Sequence, residues 1–172
     1  MIQLKTLSAE AIPSALEKAK RYRMLNEPQE AESICQDILA VVPDHQDALI
    51  TLLLALTDHF MNELSPAYQK ALETAQRLSD GYCRAYYTGI IYERRAKMHL
   101  RKGGLGSGAL AYSWLSKAME CFAVALDGCD PNNQDAVLRW NSCARIINTH
   151  PEVKPSEVEA GEMFLDSFET PH

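Results

Sequence analysis

Apolar residues recur along this chain at the three- and four-residue intervals of a helix face, and no segment alternates with the two-residue period of a strand. Between Pro28 and Val41, for example, the apolar positions form a single stripe of Ala31, Ile34, Cys35, Ile38 and Leu39. Such spacing is typical of an amphipathic helix that buries one face. The pattern therefore predicts an all-α protein.

Proline, glycine and capping residues divide the chain into about seven to eight predicted helices. Proline favours the first turn of a helix, and glycine favours the position just after its end. The predicted helices cover about residues 13–26, 27–41, 46–61, 65–78, 82–102, 109–126, 130–148 and 156–168. The third is apolar almost all round, which indicates a central position. The last begins with Ser156 and Glu159 in the S-x-x-E pattern of a capping box.

Small residues recur at nearly constant intervals in this helical pattern. Ala19, Ala55 and Gly89 are 36 and 34 residues apart, and Ala31 and Ala67 are also 36 apart. Small side chains allow two helix backbones to approach closely where they cross. The repeat predicts stacked helix pairs in a single domain over 1–172, with units of about 12–44, 45–80, 81–131 and 132–168 and a glycine loop at 103–108.

The segment from Leu25 to Asp44 resembles the middle of a tetratricopeptide repeat, with Pro43 at the proline that ends a repeat. Cys35 departs from the large apolar residue usual in the family, and the third unit is longer than a standard repeat. The resemblance covers about residues 12–148. It implies a right-handed superhelix of antiparallel helix pairs, which is how repeats of this kind bury a continuous core.

By resemblance, the chain is a non-enzymatic scaffold that binds a segment of a partner protein or peptide in a concave groove. The groove is expected to be lined by residues of the first helix in each unit. The chief candidates are Lys20, Arg23, Leu52, His59, Phe60, Tyr86, Ile90, Glu93, Arg94 and Trp140.

The composition supports a soluble helical protein and narrows its partners. Ala (21) and Leu (20) far outnumber Ile (9) and Val (6), which favours helices over strands. The net charge of -6 gives no attraction to nucleic acid or to anionic membranes, so neither partner is expected. Five cysteines without a C-x-x-C pair indicate free thiols in a reducing compartment, so we expect a cytoplasmic protein.

Two alternative functions remain open at this stage. One is a self-associating structural subunit, possible as a homodimer, whose groove is closed by its own tail or by a second copy. The other is an anion- or nucleotide-binding protein or enzyme that uses the glycine loop, with Lys102, Gly106, Ser107 and Gly108 at a helix N-terminus. No strand precedes the loop and no Lys follows its last Gly, which favours a plain connector. Scattered histidines and the absence of a nucleophile–base pattern predict no metal, cofactor or catalytic site.

Overall fold

The computed structural model describes residues 2–60, 66–127 and 129–156. These residues form a short 3-10 helix, Ala9–Ala11, and seven α-helices: α1 Ile12–Met24, α2 Pro28–Val41, α3 Gln46–Asp58, α4 Ala67–Gln76, α5 Gly81–Lys102, α6 Ser107–Leu126 and α7 Asp135–Thr149. The predicted all-α class and helix number are confirmed. The predicted last helix, 156–168, lies outside the described residues beyond Ser156. None of the seven helices is long and apolar enough to cross a membrane.

Two helix starts differ from the predicted positions for local reasons. Helix α7 begins at Asp135 instead of about 130, because the Asp130 side chain accepts a hydrogen bond from the Asn132 amide at 2.8 Å and closes a turn. Asp and Asn often compete with a helix in this way. Helix α6 begins at Ser107 instead of about 109, because Gly106 adopts a left-handed conformation with φ 79° and ends the loop there.

The helices pack in chain order. Each packs mainly on the helices before and after it, and α1 also touches α3, α3 touches α5, and α5 touches α7. The odd-numbered helices therefore lie next to one another. A continuous stack of this kind is compatible with a repeat, while the right-handed superhelix stays a prediction.

The small residues of the repeat are buried where helices meet. Ala19, Ala31 and Ala55 have no solvent exposure, and Ala67 has almost none. The buried apolar residues form three clusters, and partly buried side chains such as Leu54 join neighbouring clusters. Only small side chains permit this close packing of helix backbones.

The two longest helices, α5 and α6, pack tightly against each other at Gly89. A Cβ atom added to Gly89 would lie 2.5 Å from the ring of Phe122 in α6. Phe122 is itself fully buried, so its ring has little freedom to move away. The glycine in α5 is therefore required by the packing against α6.

We expect Gly89→Ala to lower the free energy of unfolding by about 1–3 kcal/mol, because the methyl group overpacks the contact with Phe122. Gly81→Ala is the matched control in the same helix, since its nearest neighbour is the Arg84 guanidinium at 3.9 Å. Alanine is the better helix former, so this variant should be unchanged or slightly stabilised. Urea unfolding checks both, and equal midpoints for the two variants would contradict the packing argument.

Candidate functional site

A cleft of about 390 Å³ opens between the odd-numbered helices. It lies beside the C-terminal ends of α1 and α3, the second half of α5 and the first half of α7. Its wall is formed by Asn26, Thr57, Asp58, Phe60, Glu93, Arg94, Lys97, Met98, Arg101 and Arg139. Helix α5 contributes half of these residues because their three- and four-residue spacing places them on one helix face.

Glu93 is the centre of the cleft wall. It has no solvent exposure, and its carboxylate pairs with Lys97 one turn further along α5. Arg139 of α7 approaches both carboxylate oxygens at 3.4 Å. A buried carboxylate is tolerated only with such compensation. Since the Lys97 and Arg139 side chains stay 36% and 39% exposed, Glu93 positions two cations that still face solvent.

Asp58, the last residue of α3, joins three helices. Its carboxylate accepts a hydrogen bond from Nε of Arg23 in α1 at 3.0 Å and also pairs with Arg94 of α5. Arg94 in addition donates to the Thr57 hydroxyl at 2.7 Å. Together with the pair between Glu93 and Arg139, these bonds connect α1, α3, α5 and α7 in sequence.

Cations outnumber acids around the cleft. Among the described residues that line it, four cations face two carboxylates, Asp58 and Glu93. The cations are Arg94, Lys97, Arg101 and Arg139. The whole chain carries a net charge of -6, so the local excess of positive charge is opposite in sign to the protein as a whole. A cleft lined by one sign of charge concentrates ligands of the other sign.

Part of the predicted groove lies in this cleft. Phe60, Glu93 and Arg94 line it, and Arg23 borders it through Asp58. Lys20 does not take part, because it is exposed and pairs at 2.9 Å with Glu17 on its own helix. Of the predicted groove residues, the cleft thus contains those on this face of α5 and at the end of α3, and it meets α1 only at its last turn.

Two residues predicted for the groove lie on the other side of α3. Leu52 lines a separate cavity of about 240 Å³ together with Lys70 and other residues of α2 and α4. Nε2 of His59 lies 3.8 Å from the Glu32 carboxylate of α2. Both side chains thus face the even-numbered helices instead of the cleft.

The remaining three predicted groove residues do not line the cleft. Ile90 is buried in the core between α5 and α6. Tyr86 stacks on Tyr82 with ring centroids 5.6 Å apart and contacts the cleft only through a hydrogen bond with Arg139. Trp140 lines a groove between α6 and α7. The structure therefore does not bring these three residues together with Arg94.

The sequence contained a signal for some of the missed residues. Lys97, Met98 and Arg101 continue the stripe of Arg94 along α5 at intervals of three, four and seven residues. Extending the predicted groove two turns further along this face of α5 would have included these three residues. Arg139 had no such signal, because its place depends on how α7 packs against α5.

The glycine loop has a structural contact of its own. Gly106 is exposed with a positive φ, and Ser107 opens α6. Gly108 is buried, and a Cβ atom there would overlap the backbone carbonyl of Glu152. Gly108 thus lets the chain after α7 lie against the first turn of α6. Lys102 is the last residue of α5. An anion site at these residues stays a prediction.

Comparison with known proteins adds no family. No protein-family model matches the chain, and a search of curated proteins finds no match. Within the described ranges, no group of three or more His, Cys, Asp or Glu side chains could hold a metal ion. The site is therefore interpreted from its own geometry.

We expect Glu93→Gln to lower the free energy of unfolding by about 1–3 kcal/mol, because Lys97 and Arg139 would lose their shared counter-charge inside the wall. Glu17→Gln removes an exposed ion pair with Lys20 and should change stability by less than about 0.5 kcal/mol. Chemical unfolding of both variants checks this. Equal stability would show that Glu93 does not organise the wall.

We also expect Cys35 and Cys143 to resist alkylation in the native protein. Burial raises the pKa of both thiols to about 12, so at pH 8 roughly one in ten thousand is ionised. Iodoacetamide labelling at pH 8 followed by peptide mass spectrometry should find both unmodified, and labelled once urea is added. Rapid native labelling would contradict the described core.

Proposed function

We propose that this protein is a non-enzymatic, tetratricopeptide-like interaction module that binds an anionic segment of a partner protein in the cleft between its odd-numbered helices. The observation that carries the proposal is the imbalance of charge, since four cations share two carboxylates along that cleft. An incoming carboxylate would replace the counter-charge that the cleft lacks.

The shape and chemistry of the cleft support a peptide ligand. The ion pairs of its wall extend over four helices, so a bound segment could contact several of them. Phe60 and Met98 line the same cleft but are only 5% and 4% exposed, so its accessible wall is mainly cationic. An acidic segment fits such a wall.

The pairing of the two cleft carboxylates with cations favours binding over catalysis. Asp58 is held by two arginines, and Glu93 by a lysine and an arginine. Both carboxylates are therefore used to hold the cations of the wall in place. The proposal therefore assigns no catalytic residue and no cofactor to the cleft.

The proposed setting is the cytoplasm, with a protein partner and neither nucleic acid nor membrane. All five cysteines are free, which suits a reducing compartment. The overall negative charge disfavours polyanionic surfaces away from the cleft.

Fluorescence anisotropy with a labelled peptide tests the proposal. The probe is a peptide of about a dozen residues rich in Glu and Leu, whose extended length suits a cleft across several helices. Arg101→Glu should weaken its binding at least about tenfold, because it reverses a charge on the cleft wall. Binding should also weaken with added salt.

Arg21→Glu is the matched control, since it changes the net charge equally at an exposed residue of α1 outside the cleft. It should leave the affinity nearly unchanged. The proposal fails if the acidic peptide does not bind, if both variants lose affinity equally, or if a peptide with Lys in place of Glu binds as well.

A further inference from the structure

The cations of the cleft between the odd-numbered helices converge on one part of its wall. Arg94, Lys97 and Arg101 follow one another on α5 at intervals of three and four residues, so they are neighbours on one helix face. Arg139 of α7 joins them, because its Nη1 and the Nζ of Lys97 both donate to Oε1 of Glu93. We call these four cationic residues the cation cluster. It presents charges from two helices to one ligand.

The two acids of the cleft lie behind the cation cluster. The Glu93 side chain has no solvent exposure, whereas those of Lys97 and Arg139 are 36% and 39% exposed. The Asp58 side chain is 23% exposed and is also less accessible than its partner Arg94, at 30%. An incoming anion therefore meets the cations before it meets either carboxylate.

Much of the hydrogen-bonding capacity of the cation cluster is unused within the described residues. There, every hydrogen bond of Arg94 comes from Nη1, which leaves its Nε and Nη2. Arg101 is exposed in the last turn of α5, and no hydrogen bond or ion pair joins it to another described residue. A guanidinium group has five N–H donors in a fixed fork. A ligand with several acceptor oxygens on one group can use such donors together.

A phosphate ester matches the cation cluster in charge and in acceptors. The four cations and two carboxylates of the cleft wall leave an excess of two positive charges. A phosphorylated Ser or Thr carries a charge of about −1.5 to −2 at pH 7 on three acceptor oxygens of one group. A single carboxylate supplies less charge and only two oxygens. Clusters of arginine are a common means of recognising phosphorylated segments.

We propose that the cleft selects a phosphorylated segment of its protein partner, with the phosphate of one phosphoserine or phosphothreonine anchored by the cation cluster. This inference rests on the proposed function, which places an anionic segment of a partner in the cleft. The net charge of −6 repels a long polyanion beyond the cleft, so a segment with one phosphate is favoured over a nucleic acid.

Fluorescence anisotropy with three matched peptides tests the phosphate anchor. The Glu- and Leu-rich probe carries at its centre Ser-Ser, phosphoserine-Ser or Glu-Glu, so the last two peptides have nearly equal charge. Phosphoserine should tighten binding at least about tenfold relative to Ser-Ser, and Glu-Glu no more than about threefold. A gain from phosphoserine no larger than that from Glu-Glu would overturn the anchor and leave the acidic-segment proposal standing. Failure of all three peptides to bind would overturn both.

Arg101→Gln tests where the phosphate is held. The Kd of the Ser-Ser peptide divided by that of the phosphoserine peptide gives the gain from phosphorylation, and a general loss of binding cancels in this ratio. The ratio should fall at least about threefold in Arg101→Gln, because donors to the phosphate are lost. Arg21→Gln, at an exposed residue of α1 outside the cleft, is the matched control and should keep the original ratio. The site assignment fails if the two variants give the same ratio.

Competition distinguishes a phosphorylated segment from other sources of phosphate. Unlabelled phosphoserine peptide should displace the probe at a concentration at least about a hundredfold below that needed with inorganic phosphate, because the rest of the segment adds contacts. Displacement by inorganic phosphate, or by single-stranded DNA of a dozen nucleotides, at the same concentration as the peptide would overturn the assignment to a partner segment.

Discussion

The burial of Glu93 between Lys97 and Arg139 constrains the whole cleft. A carboxylate without water must keep its cations close, because an unpaired buried charge is strongly destabilising. Since one cation belongs to α5 and the other to α7, the acid fixes how these helices face each other. Asp58 has the same effect between α1, α3 and α5. Two acids thereby hold a row of cations in place across four helices.

The helical architecture could be predicted because its signals are local. Pro28 and Gly103 mark helix ends through their backbone preferences, and Asp80 caps the start of α5 by accepting a hydrogen bond from the Cys83 amide. The spacing of Ala19 and Ala55 reflects positions where helices pack closely. Only some of the predicted groove residues lie in the cleft. Helix α3 is apolar nearly all round, so its sequence has no polar face that shows how the helix is rotated. Leu52 and His59 lie on the side of α3 away from the cleft. Arg139 reaches Glu93 through tertiary packing, which the period of one helix does not encode.

The cationic cleft and the apolar groove between α6 and α7 differ in the forces that act at their surfaces. Charge acts over about 8–10 Å in salt solution, so an ionic contact in the cleft weakens as the ionic strength rises. Apolar attraction in the groove that Trp140 lines acts only at direct contact, and salt barely weakens it. The overall negative charge of the protein therefore matters for the first surface and little for the second.

The contact of Gly89 with Phe122 limits which substitutions this protein can accept at either position during evolution. The space at residue 89 is set by the ring at residue 122, so neither position can change freely alone. A relative with Ala at the first position should carry a smaller side chain at the second, and a relative with Phe at the second should keep Gly at the first. Residues 89 and 122 should therefore covary among relatives. Such covariation would identify the α5–α6 helix pair even in relatives whose overall sequence similarity is too low to recognise.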